Sequence, residues 1–537
     1  MDRQPAPVPE PAEAAASASA LNPSRTHRSV FRALLDARHE FGGGEIILVD
    51  GDERALKYDE IVRASFALGH ALKRGTARGE AVGIMLPSSA GAVIAFFALS
   101  AYGRVPAMLN FTSGVANLKS ALATAKIKRI VTAHRFIELA KLEQLVSELS
   151  HSAEIVYLED VRNQLSTFDK VAAVLGPRMP FLYRKHVSPE STAVILFTSG
   201  TEGAPKGVVL SHVNLLANVE QVRLHIELFP TDVLFNPLPT FHCFGLTAGA
   251  LMPLFLGIKA VLHPTPLQPH DIVRRIRELR ATILLTTDTF ITQYARAGHE
   301  GDLKTLRLAV CGAERLRDET RQLLRRKYHI ELLEGYGVTE ASPVVAANQI
   351  GANRLGTVGH LMPGMEYRLE PVEGIPYGGR LFIRGPNVML GYLKPEAPGQ
   401  IQPPPEGWYD TGDVASIDPE GFISIRGRVK RFAKIGGETV SLAVVENCAS
   451  ALWPDFAHAA VTLPDPRKGE QIVLVTTAPD AGRGDFIGWA HRHGVPELAV
   501  PRRILHVQSI PVLGTGKTDY MSVQKLAAED VASEAAG

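Results

Sequence analysis

The sequence is short of three features: cysteine, net charge and long apolar runs. Its 537 residues include only three cysteines, which are far apart and lack metal-ligand spacing, so we expect no disulfide framework and a reducing, cytoplasmic setting. The net charge of +1 excludes a bulk electrostatic attraction to nucleic acid or acidic membranes. The longest apolar run, Ala90 to Gly103, is too short to cross a bilayer and predicts a buried helix. Peripheral contact with the inner membrane stays open.

The rest of the composition is that of an ordinary globular protein, with 45% hydrophobic and 21% charged residues, and the length allows several domains. Residues 1–25 are rich in Ala, Pro, Ser and Glu, which predicts a disordered tail. Short apolar runs then alternate with helical patterns, whereas residues 378–427 hold short strands and many glycines. We therefore predict an α/β fold: an N-terminal domain over 26–428 with two α/β subdomains and a β-rich subdomain, a hinge at 429–430, and a small, mobile α+β C-terminal domain over 431–537.

The most informative segment runs from Thr198 to Gly207 and follows an apolar, strand-like run. Glycines let backbone N–H groups approach an anion, hydroxyls add donors, and a lysine adds a compact positive charge. The pattern differs from the Walker loop because Pro205 stands where the second glycine is needed, and because a second strand, not a helix, follows. It predicts a phosphate-handling loop that joins two strands, and an ordinary glycine-rich hairpin is the alternative. Its chemistry-bearing residues are Thr198, Ser199, Gly200, Thr201, Gly203 and Lys206.

Three later segments carry candidate site residues. The strand-like run Leu308 to Cys311 ends at Gly312, Ala313 and Glu314, and ligands bind open α/β sheets at such carboxyl ends. The segment 334–340 reads EGYGVTE, and a carboxylate placed among phosphates needs a hard cation such as Mg²⁺ between them. The segment 408–413 reads WYDTGD, in which a short acid beside glycine is commonly only a turn.

The region 238–250 is the candidate substrate pocket. Phe241 and His242 could line this pocket, and a purely structural interpretation, a core aromatic beside a surface histidine, explains them about equally well. The small and large apolar residues that follow, including Gly245, Leu246 and Ala250, suit an elongated alkyl slot, but they equally suit close helix packing.

Together these motifs resemble the adenylate-forming superfamily, which contains acyl-CoA synthetases, peptide-synthetase adenylation domains and luciferases. The resemblance covers about residues 30–525 and implies the use of ATP and Mg²⁺ to turn a carboxylate into an acyl-adenylate, followed by transfer to a thiol. Within the superfamily, the segments 197–212, 333–343, 427–441 and 493–502 are most similar to the acyl-carrier-protein synthetase half of bifunctional 2-acylglycerophosphoethanolamine acyltransferases.

The resemblance also implies roles for individual residues. Phe241 shapes the acyl pocket with Gly245, Leu246 and Ala250, and His242 lies near the substrate carboxylate. Lys430 is the hinge residue, and Gly436 and Gly437 serve the thiol step. Lys517 bridges the carboxylate and the α-phosphate as a catalytic lysine, and the other catalytic residues implied are His242, Thr339 and Lys206. The nucleotide contacts are implied at the loop residues Thr198, Ser199, Gly200, Thr201, Gly203 and Lys206, at Gly312, Ala313, Glu314, Gly335, Tyr336, Gly337 and Thr339, and at Asp413 and Arg428, with Glu340 and Thr201 toward the metal.

The sequence thus predicts a ligase that activates a medium- or long-chain fatty acid and transfers it to acyl carrier protein. No H-x₄-D motif precedes the synthetase-like part, because neither His27 nor His39 has an aspartate five residues on, so we do not expect lysophospholipid acylation. Two alternatives stay open: a fatty acyl-CoA ligase with free coenzyme A as acceptor, and an inactive homologue that only binds acyl chains or nucleotide.

Overall fold

A computed structural model describes residues 21–198, 205–372, 375, 377–435, 438–465, 469–493, 495–512 and 518–536. The first described helix, Pro23–Thr26, begins inside the segment 1–25 that the sequence analysis predicts as a disordered tail, and the Asn22 side chain caps it by accepting the Ser24 N–H at 3.0 Å. The described part of the chain forms a large N-terminal and a small C-terminal domain of mixed α/β structure, as predicted.

Nine strands of the described chain form the first sheet. Its five central pairings are parallel, so the carboxyl ends of those strands lie along one edge. Strands Leu308–Cys311 and Leu332–Gly337 are neighbours, with Cys311 opposite Glu334. In spatial order the strands are His360–Leu361, Val344–Ala347, Leu332–Gly337, Leu308–Cys311, Ile283–Thr286, Val233–Asn236, Lys259–Leu262, Ile46–Val49 and Ala55–Lys57.

A second sheet of eight described strands contains the two strands that flank the predicted phosphate loop. Thr192–Thr198 and Lys206–Ser211 are antiparallel, and Thr198 is paired with Lys206. This confirms the prediction that the loop joins two strands and does not open a helix. In spatial order the strands are Ala397–Gln402, Gly391–Lys394, Lys206–Ser211, Thr192–Thr198, Val105–Met108, Ala81–Ile84, Arg129–Thr132 and Glu154–Tyr157.

The predicted β-rich unit is divided between two sheets. Strands Glu366–Glu370, Gly379–Arg384, Tyr409–Ile417 and Ile423–Arg428 form an antiparallel sheet of their own. Gly391–Lys394 instead pairs with Lys206–Ser211 in the second sheet, with Tyr392 opposite Val208. Sequence spacing could not show this, because strand partners are set by long-range packing.

The C-terminal domain has its own sheet of five described strands: Glu438–Ser441, Phe432–Ile435, Gly469–Thr476, His458–Asp465 and Arg503–His506. Helices Leu442–Leu452 and Arg483–Arg492 pack on one hydrophobic cluster and Tyr520–Ala536 on another. The 3₁₀ turn Val429–Arg431 connects strand Ile423–Arg428 of the β-rich sheet to strand Phe432–Ile435. The domain boundary at this turn stays a prediction.

The N-terminal core is built around helices that cover both large sheets. Helix Ala90–Ala101 is almost entirely buried, as its composition predicts. The remaining described α-helices of this domain are Val30–Phe41, Tyr58–Leu72, Val115–Thr124, His134–Ala140, Glu143–Ser150, Leu158–Asn163, Thr167–Leu175, Pro180–Tyr183, His212–His225, Met252–Leu256, Pro269–Glu278, Asp288–Ala297 and Asp318–Tyr328. A π-helix spans Phe244–Leu251, and 3₁₀ turns span Thr339–Ala341 and Pro405–Gly407. A further 3₁₀ turn, Glu497–Ala499, lies in the C-terminal domain. Across the described ranges, none of the helices has the length and apolarity needed to cross a bilayer.

Candidate active site

Several predicted site residues lie outside the described residues. They are Ser199, Gly200, Thr201 and Gly203 of the loop, Gly436 and Gly437 of the thiol step, and the catalytic candidate Lys517. Their roles stay predictions, and the site is built here from the residues around them.

Tyr336 and Asp413 meet although 77 positions separate them. Tyr336 lies near the carboxyl end of strand Leu332–Gly337, where the strand pairs with its antiparallel neighbour, and donates its hydroxyl to Asp413 Oδ2 at 2.5 Å. On the neighbouring strand, Arg428 faces Asp413 and donates its Nε–H to Oδ1 at 3.0 Å. Burial and the carboxylate raise the pKa of Tyr336, while the carboxylate raises that of Arg428. Both side chains therefore keep their protons and can donate to the buried Asp413 carboxyl group.

The stretch of strand Tyr409–Ile417 that presents Asp413 is shaped by its own sequence. Gly412 has a φ of +70°, in the left-handed region that favours glycine. Its N–H donates to Asp410 Oδ1, and the Asp413 N–H donates to Thr411 Oγ1 at 3.1 Å. The structure places this segment inside strand Tyr409–Ile417, so the turn interpretation is wrong. The left-handed Gly412 and these two hydrogen bonds form an irregularity in the strand that fixes the backbone at Asp413.

The carboxyl end of strand Leu308–Cys311 lies beside the carboxyl end of strand Leu332–Gly337, so Gly312 to Glu314 and Gly335 to Thr339 border one edge. Ala313 adopts a φ of +68°, and Glu314 Oε2 accepts the Thr289 N–H at 3.0 Å. A Cβ on Gly312 would lie 3.1 Å from Phe244 Cε1, so this glycine lets the strand end approach the π-helix. The structure thus brings the predicted adenine-facing segments together.

Glu340 lies in the 3₁₀ turn Thr339–Ala341, is buried, and is surrounded by two tyrosines that the sequence analysis missed. Tyr392 donates its hydroxyl to Glu340 Oε1 at 2.5 Å, and the Tyr409 hydroxyl lies 3.2 Å from that of Tyr392. Lys206 Nζ lies 5.4 Å from the centroid of the Tyr392 ring, in cation–π geometry. Burial first and Glu340 second raise the pKa of both tyrosines. This cluster links the end of the phosphate loop to the predicted metal ligand.

The chemistry of this cluster fits a Mg²⁺ ion that is shared with phosphate. Among the described residues, no group of three or more His, Cys, Asp or Glu side chains could hold a metal. Mg²⁺ commonly takes only one or two protein carboxylates and completes its shell with phosphate oxygens and water. Glu340, with Oε1 fixed by Tyr392, suits that single-carboxylate role.

A set of buried amide side chains fixes the turn that carries Glu340. Asn387 donates to the Ala341 carbonyl at 2.7 Å, and its Oδ1 accepts from Gln221. Asn218 donates to the Val344 carbonyl at 2.8 Å, and the Met389 N–H donates to the Glu340 carbonyl at 2.8 Å. The signal for this network was present in the sequence, because Asn214, Asn218 and Gln221 recur at helical spacing on His212–His225.

Phe241 is a core aromatic. It is buried and packs edge-on against Phe111, with ring centroids 5.0 Å apart, and Phe111 in turn packs on Phe136. The His242 ring is half-buried, 4.8 Å from that of Phe241. The aromatic cluster forms one wall of an apolar region, but a substrate role for either residue stays a prediction.

The glycines of the π-helix have a packing role. A Cβ on Gly249 would lie 2.2 Å from Asn236 Nδ2, and one on Gly245 would lie 2.3 Å from the Pro239 carbonyl oxygen. Asn236 is fully buried, donates to the Gly245 carbonyl at 3.0 Å and accepts the Leu238 N–H at 3.1 Å. Close packing therefore explains these two glycines. An alkyl slot beside Leu246 and Ala250 stays a prediction, and a π-helix is a frequent feature of functional sites.

The predicted hinge residue Lys430 is the middle residue of the turn Val429–Arg431. The next side chain, Arg431, donates to Glu446 at 2.7 Å and stacks on Tyr520, with its guanidinium carbon 3.5 Å from the ring centroid. Tyr520 begins the last helix, three residues after Lys517. The residue after the hinge is thus fixed to the segment that follows the catalytic candidate.

Two large α/β sheets, a β-rich sheet and a small C-terminal α+β domain define an adenylate-forming fold. The sequence profile of the family described as AMP-binding enzyme matches residues 36–393, and the chain belongs to this family. It is a ligase of the acyl- or aryl-CoA ligase type, and enzymes of this family use ATP.

Curated relatives and solved structures agree with this assignment. The chain is 29% identical to a feruloyl-CoA synthase of Amycolatopsis sp, over 86% of this chain and 92% of the relative. It is 25% identical to the medium-chain fatty-acid–CoA ligase of Escherichia coli (strain K12), over 90% of this chain and 87% of the relative. The ATP-bound crystal structure of MatB from Rhodopseudomonas palustris superposes with a TM-score of 0.80 at 23% identity, covering 93% of this chain and 99% of that one, which shows the shared fold.

Proposed function

We propose that this protein activates a medium- or long-chain fatty acid with ATP and then transfers the acyl group to a phosphopantetheine thiol. The proposed acceptor is free coenzyme A. The observation that carries the proposal is the meeting of Tyr336, Asp413 and Arg428 beside the carboxyl edge of the first sheet. A buried anion fixed by two donors is a suitable acceptor for ribose hydroxyls.

The reaction divides into two displacements. In the first, a carboxylate oxygen of the fatty acid attacks the α-phosphorus of ATP and pyrophosphate leaves. In the second, the thiol sulfur attacks the acyl carbonyl, its proton is released, and AMP leaves with the electron pair of the broken C–O bond. The protein's part is to align reactants and to stabilise charge, which is the main source of catalysis in phosphoryl-type transfers.

Residues of both domains supply distinct parts of that task. Tyr336 offers its ring to the adenine, and Asp413 and Arg428 face the ribose. Lys206, at the end of the phosphate loop, carries positive charge toward the phosphates, and Thr339 donates a hydroxyl there. Glu340 holds Mg²⁺, which when bound neutralises charge on the phosphate oxygens. Lys517 bridges the carboxylate and the α-phosphate, and the C-terminal domain turns about Lys430 to bring Gly436 and Gly437 to the thiol.

The choice of acceptor rests on the relatives. The two relatives described above are named for coenzyme A as the acceptor, and this favours coenzyme A. Acyl carrier protein is the second candidate because the string HGVPELAVPR at 493–502 is similar to acyl-carrier-protein synthetases. Both acceptors present the same pantetheine thiol, so the choice concerns only what surrounds it.

The test separates the two steps. Purified protein is assayed for ATP–pyrophosphate exchange with fatty acids of increasing length and with ferulate, and then for thioester formation with coenzyme A or with pantetheinylated acyl carrier protein. Exchange that rises with alkyl length and thioester on coenzyme A support the proposal. Thioester on the carrier protein alone overturns the acceptor, and exchange with ferulate but no fatty acid overturns the substrate class. No exchange with any acid overturns the activity itself and favours the inactive binding homologue.

A further inference from the structure

The helix Thr167–Leu175 is inverted in one respect: it buries its carboxylate, Asp169, and exposes its large apolar side chains. Of its other residues, Lys170 is exposed and Ala172 is buried. Asp169 has no exposed surface, whereas the adjacent Phe168 is 76% exposed. Asp169 accepts hydrogen bonds from Arg74 at 2.7 Å and from His70 at 2.6 Å; His70 lies on helix Tyr58–Leu72, and Arg74 follows its end. An amphipathic helix normally faces its apolar side to the core. Here the carboxylate fixes the helix to the body and directs the apolar side outward.

The exposed apolar side continues into the next short helix, Pro180–Tyr183. Phe181 is 69% exposed and Leu182 is 58% exposed. Contiguous exposed apolar surface on a monomer commonly marks an interaction site. We call this surface the 168–182 patch, and it consists of Phe168, Val171, Val174, Leu175, Met179, Phe181 and Leu182.

The segment that carries the 168–182 patch is packed against the rest of the N-terminal domain. Gly176 is buried so closely against Phe66 that a Cβ would lie 2.5 Å from the ring. Arg38 donates to the Pro177 carbonyl at 3.3 Å, and the Lys185 N–H donates to the Ala101 carbonyl at 2.9 Å. These contacts hold both ends of the patch, so its exposure is a feature of the fold and not the fraying of a loop.

The exposed charges carried by the segment 164–186 itself have one sign. Lys170, Arg178 and Lys185 are exposed, and Arg184 is half-buried. Over residues 164–186 the only acidic residue is Asp169, whose charge is compensated by Arg74. Aromatic and aliphatic side chains flanked by Lys and Arg are the combination with which helices lie in the interface of anionic membranes.

We propose that the 168–182 patch docks this protein on an anionic membrane surface, with the two helices lying in the plane of the interface. Phe168, Phe181 and Leu182 insert among the lipid chains, and the basic side chains contact the headgroups. A second copy of this chain fits less well, because a two-fold interface would place the basic residues of one copy against those of the other with no exposed acid in the segment to pair them.

The test uses the full chain and vesicles that contain no substrate. Sedimentation is compared for vesicles of phosphatidylcholine alone and of phosphatidylcholine mixed with phosphatidylglycerol. We expect co-sedimentation only with the mixed vesicles, weakened by salt, and reduced at least about tenfold both by F168Q/F181Q/L182Q and by K170E/R178E/K185E. The matched control is L267Q/L355Q, which alters two similarly exposed leucines outside the patch and should bind like the parent.

Two further measurements test insertion of the patch into the bilayer and self-association of the protein. An environment-sensitive dye attached to the introduced thiol of an F168C variant should shift to the blue with mixed vesicles, whereas the same dye on an L355C variant should not. The three native cysteines are buried, which favours labelling at the introduced thiol. Light scattering of the parent and of F168Q/F181Q/L182Q tests self-association.

Absence of binding to mixed vesicles, equal binding by all variants, or a dimer that the patch substitutions dissociate would each overturn the proposal. Unchanged melting temperatures of the variants exclude misfolding as the cause of lost binding, since every substituted side chain is exposed in the parent.

Discussion

Tyr392 donates its hydroxyl to Glu340 Oε1 at 2.5 Å and so joins the second sheet to the turn after strand Leu332–Gly337. The same ring lies under Lys206 Nζ. One tyrosine therefore contacts both the lysine that ends the phosphate loop and the carboxylate proposed for Mg²⁺, and this makes it the first target for mutation.

Tyr392→Phe removes the hydroxyl but keeps the ring beneath Lys206. Because Glu340 then loses a charge-assisted hydrogen bond, worth about 1.5–3 kcal/mol, we expect roughly a tenfold or greater loss of pyrophosphate-exchange rate and a higher Mg²⁺ concentration at half-saturation. A titration of exchange rate against Mg²⁺ measures both. Tyr377→Phe, at a tyrosine that is 82% exposed, serves as the control and should leave both values unchanged.

Asp413→Asn removes the negative charge from the contact with Tyr336 and Arg428. Because a carboxylate accepts stronger hydrogen bonds than an amide, we expect AMP and ATP to bind about tenfold to a hundredfold more weakly. Calorimetric titration with AMP measures the change without requiring turnover. Glu366→Gln, which alters an exposed ion pair with Arg384, is the control. Unaltered AMP affinity in Asp413→Asn would remove Asp413 from the nucleotide site.

Lys517→Ala tests the proposed rotation of the C-terminal domain. We expect it to abolish acyl-adenylate formation, because the lysine charge is needed as the carboxylate attacks phosphorus, and to leave transfer from preformed acyl-adenylate to the thiol largely intact. Rapid-mix assays of each half-reaction measure the two effects. Equal damage to both half-reactions would contradict a separate conformation for each step.

Gly249→Ala should destabilise the N-terminal domain. The new Cβ would overlap the buried Asn236 side chain, and relieving such overpacking costs about 1–3 kcal/mol. Gly488→Ala is the matched control: Gly488 lies in helix Arg483–Arg492 with no atom near its would-be Cβ, so alanine should stabilise that helix by about 0.5–1 kcal/mol. Chemical denaturation of both variants measures the opposite signs.

Asp169 makes the unfolding free energy of the N-terminal domain depend on pH. Its burial alone would raise its pKa, but hydrogen bonds from Arg74, His70 and Ser166 outweigh this effect and hold the pKa well below the usual range. The stabilising contribution is therefore complete above the unfolded-state pKa of about 4 and is lost as the pH falls below it. Asp169→Asn should cost about 2–3 kcal/mol at neutral pH, less than a fully buried pair because Arg74 is half exposed.

Denaturation curves at several pH values provide the measurement. The difference in unfolding free energy between the parent and Asp169→Asn should narrow as the pH is lowered from about 5 toward about 3, across the unfolded-state pKa. A difference that stays constant over this interval would show that the carboxylate's charge contributes nothing.

The sequence predicted the architecture well where hydrophobic period and turn chemistry are local. The strand Leu308–Cys311 has the predicted bounds, and the two strands that flank the predicted phosphate loop are paired as predicted. The meeting of Tyr336 with Asp413 was anticipated only through family resemblance, since spacing says nothing about which distant segments touch.

Other features of the site lay beyond what the pattern could reveal. Tyr392 and Tyr409 approach Glu340 because their strands belong to different sheets that converge there, and strand partnership depends on tertiary packing. The inverted helix Thr167–Leu175 shows a second limit: periodicity identifies an amphipathic helix, but the direction of its apolar side depends on the partner of one residue, Asp169.

The stacking of Arg431 on Tyr520 ties the first residues of the C-terminal domain to its last helix. This contact therefore joins the turn at which the chain enters the domain to the helix Tyr520–Ala536. Any truncation or fusion that disturbs the final helix should consequently be transmitted to the turn at Val429–Arg431. A tag fused after this helix would therefore act on the predicted hinge, although it is attached at the opposite end of the domain's sequence.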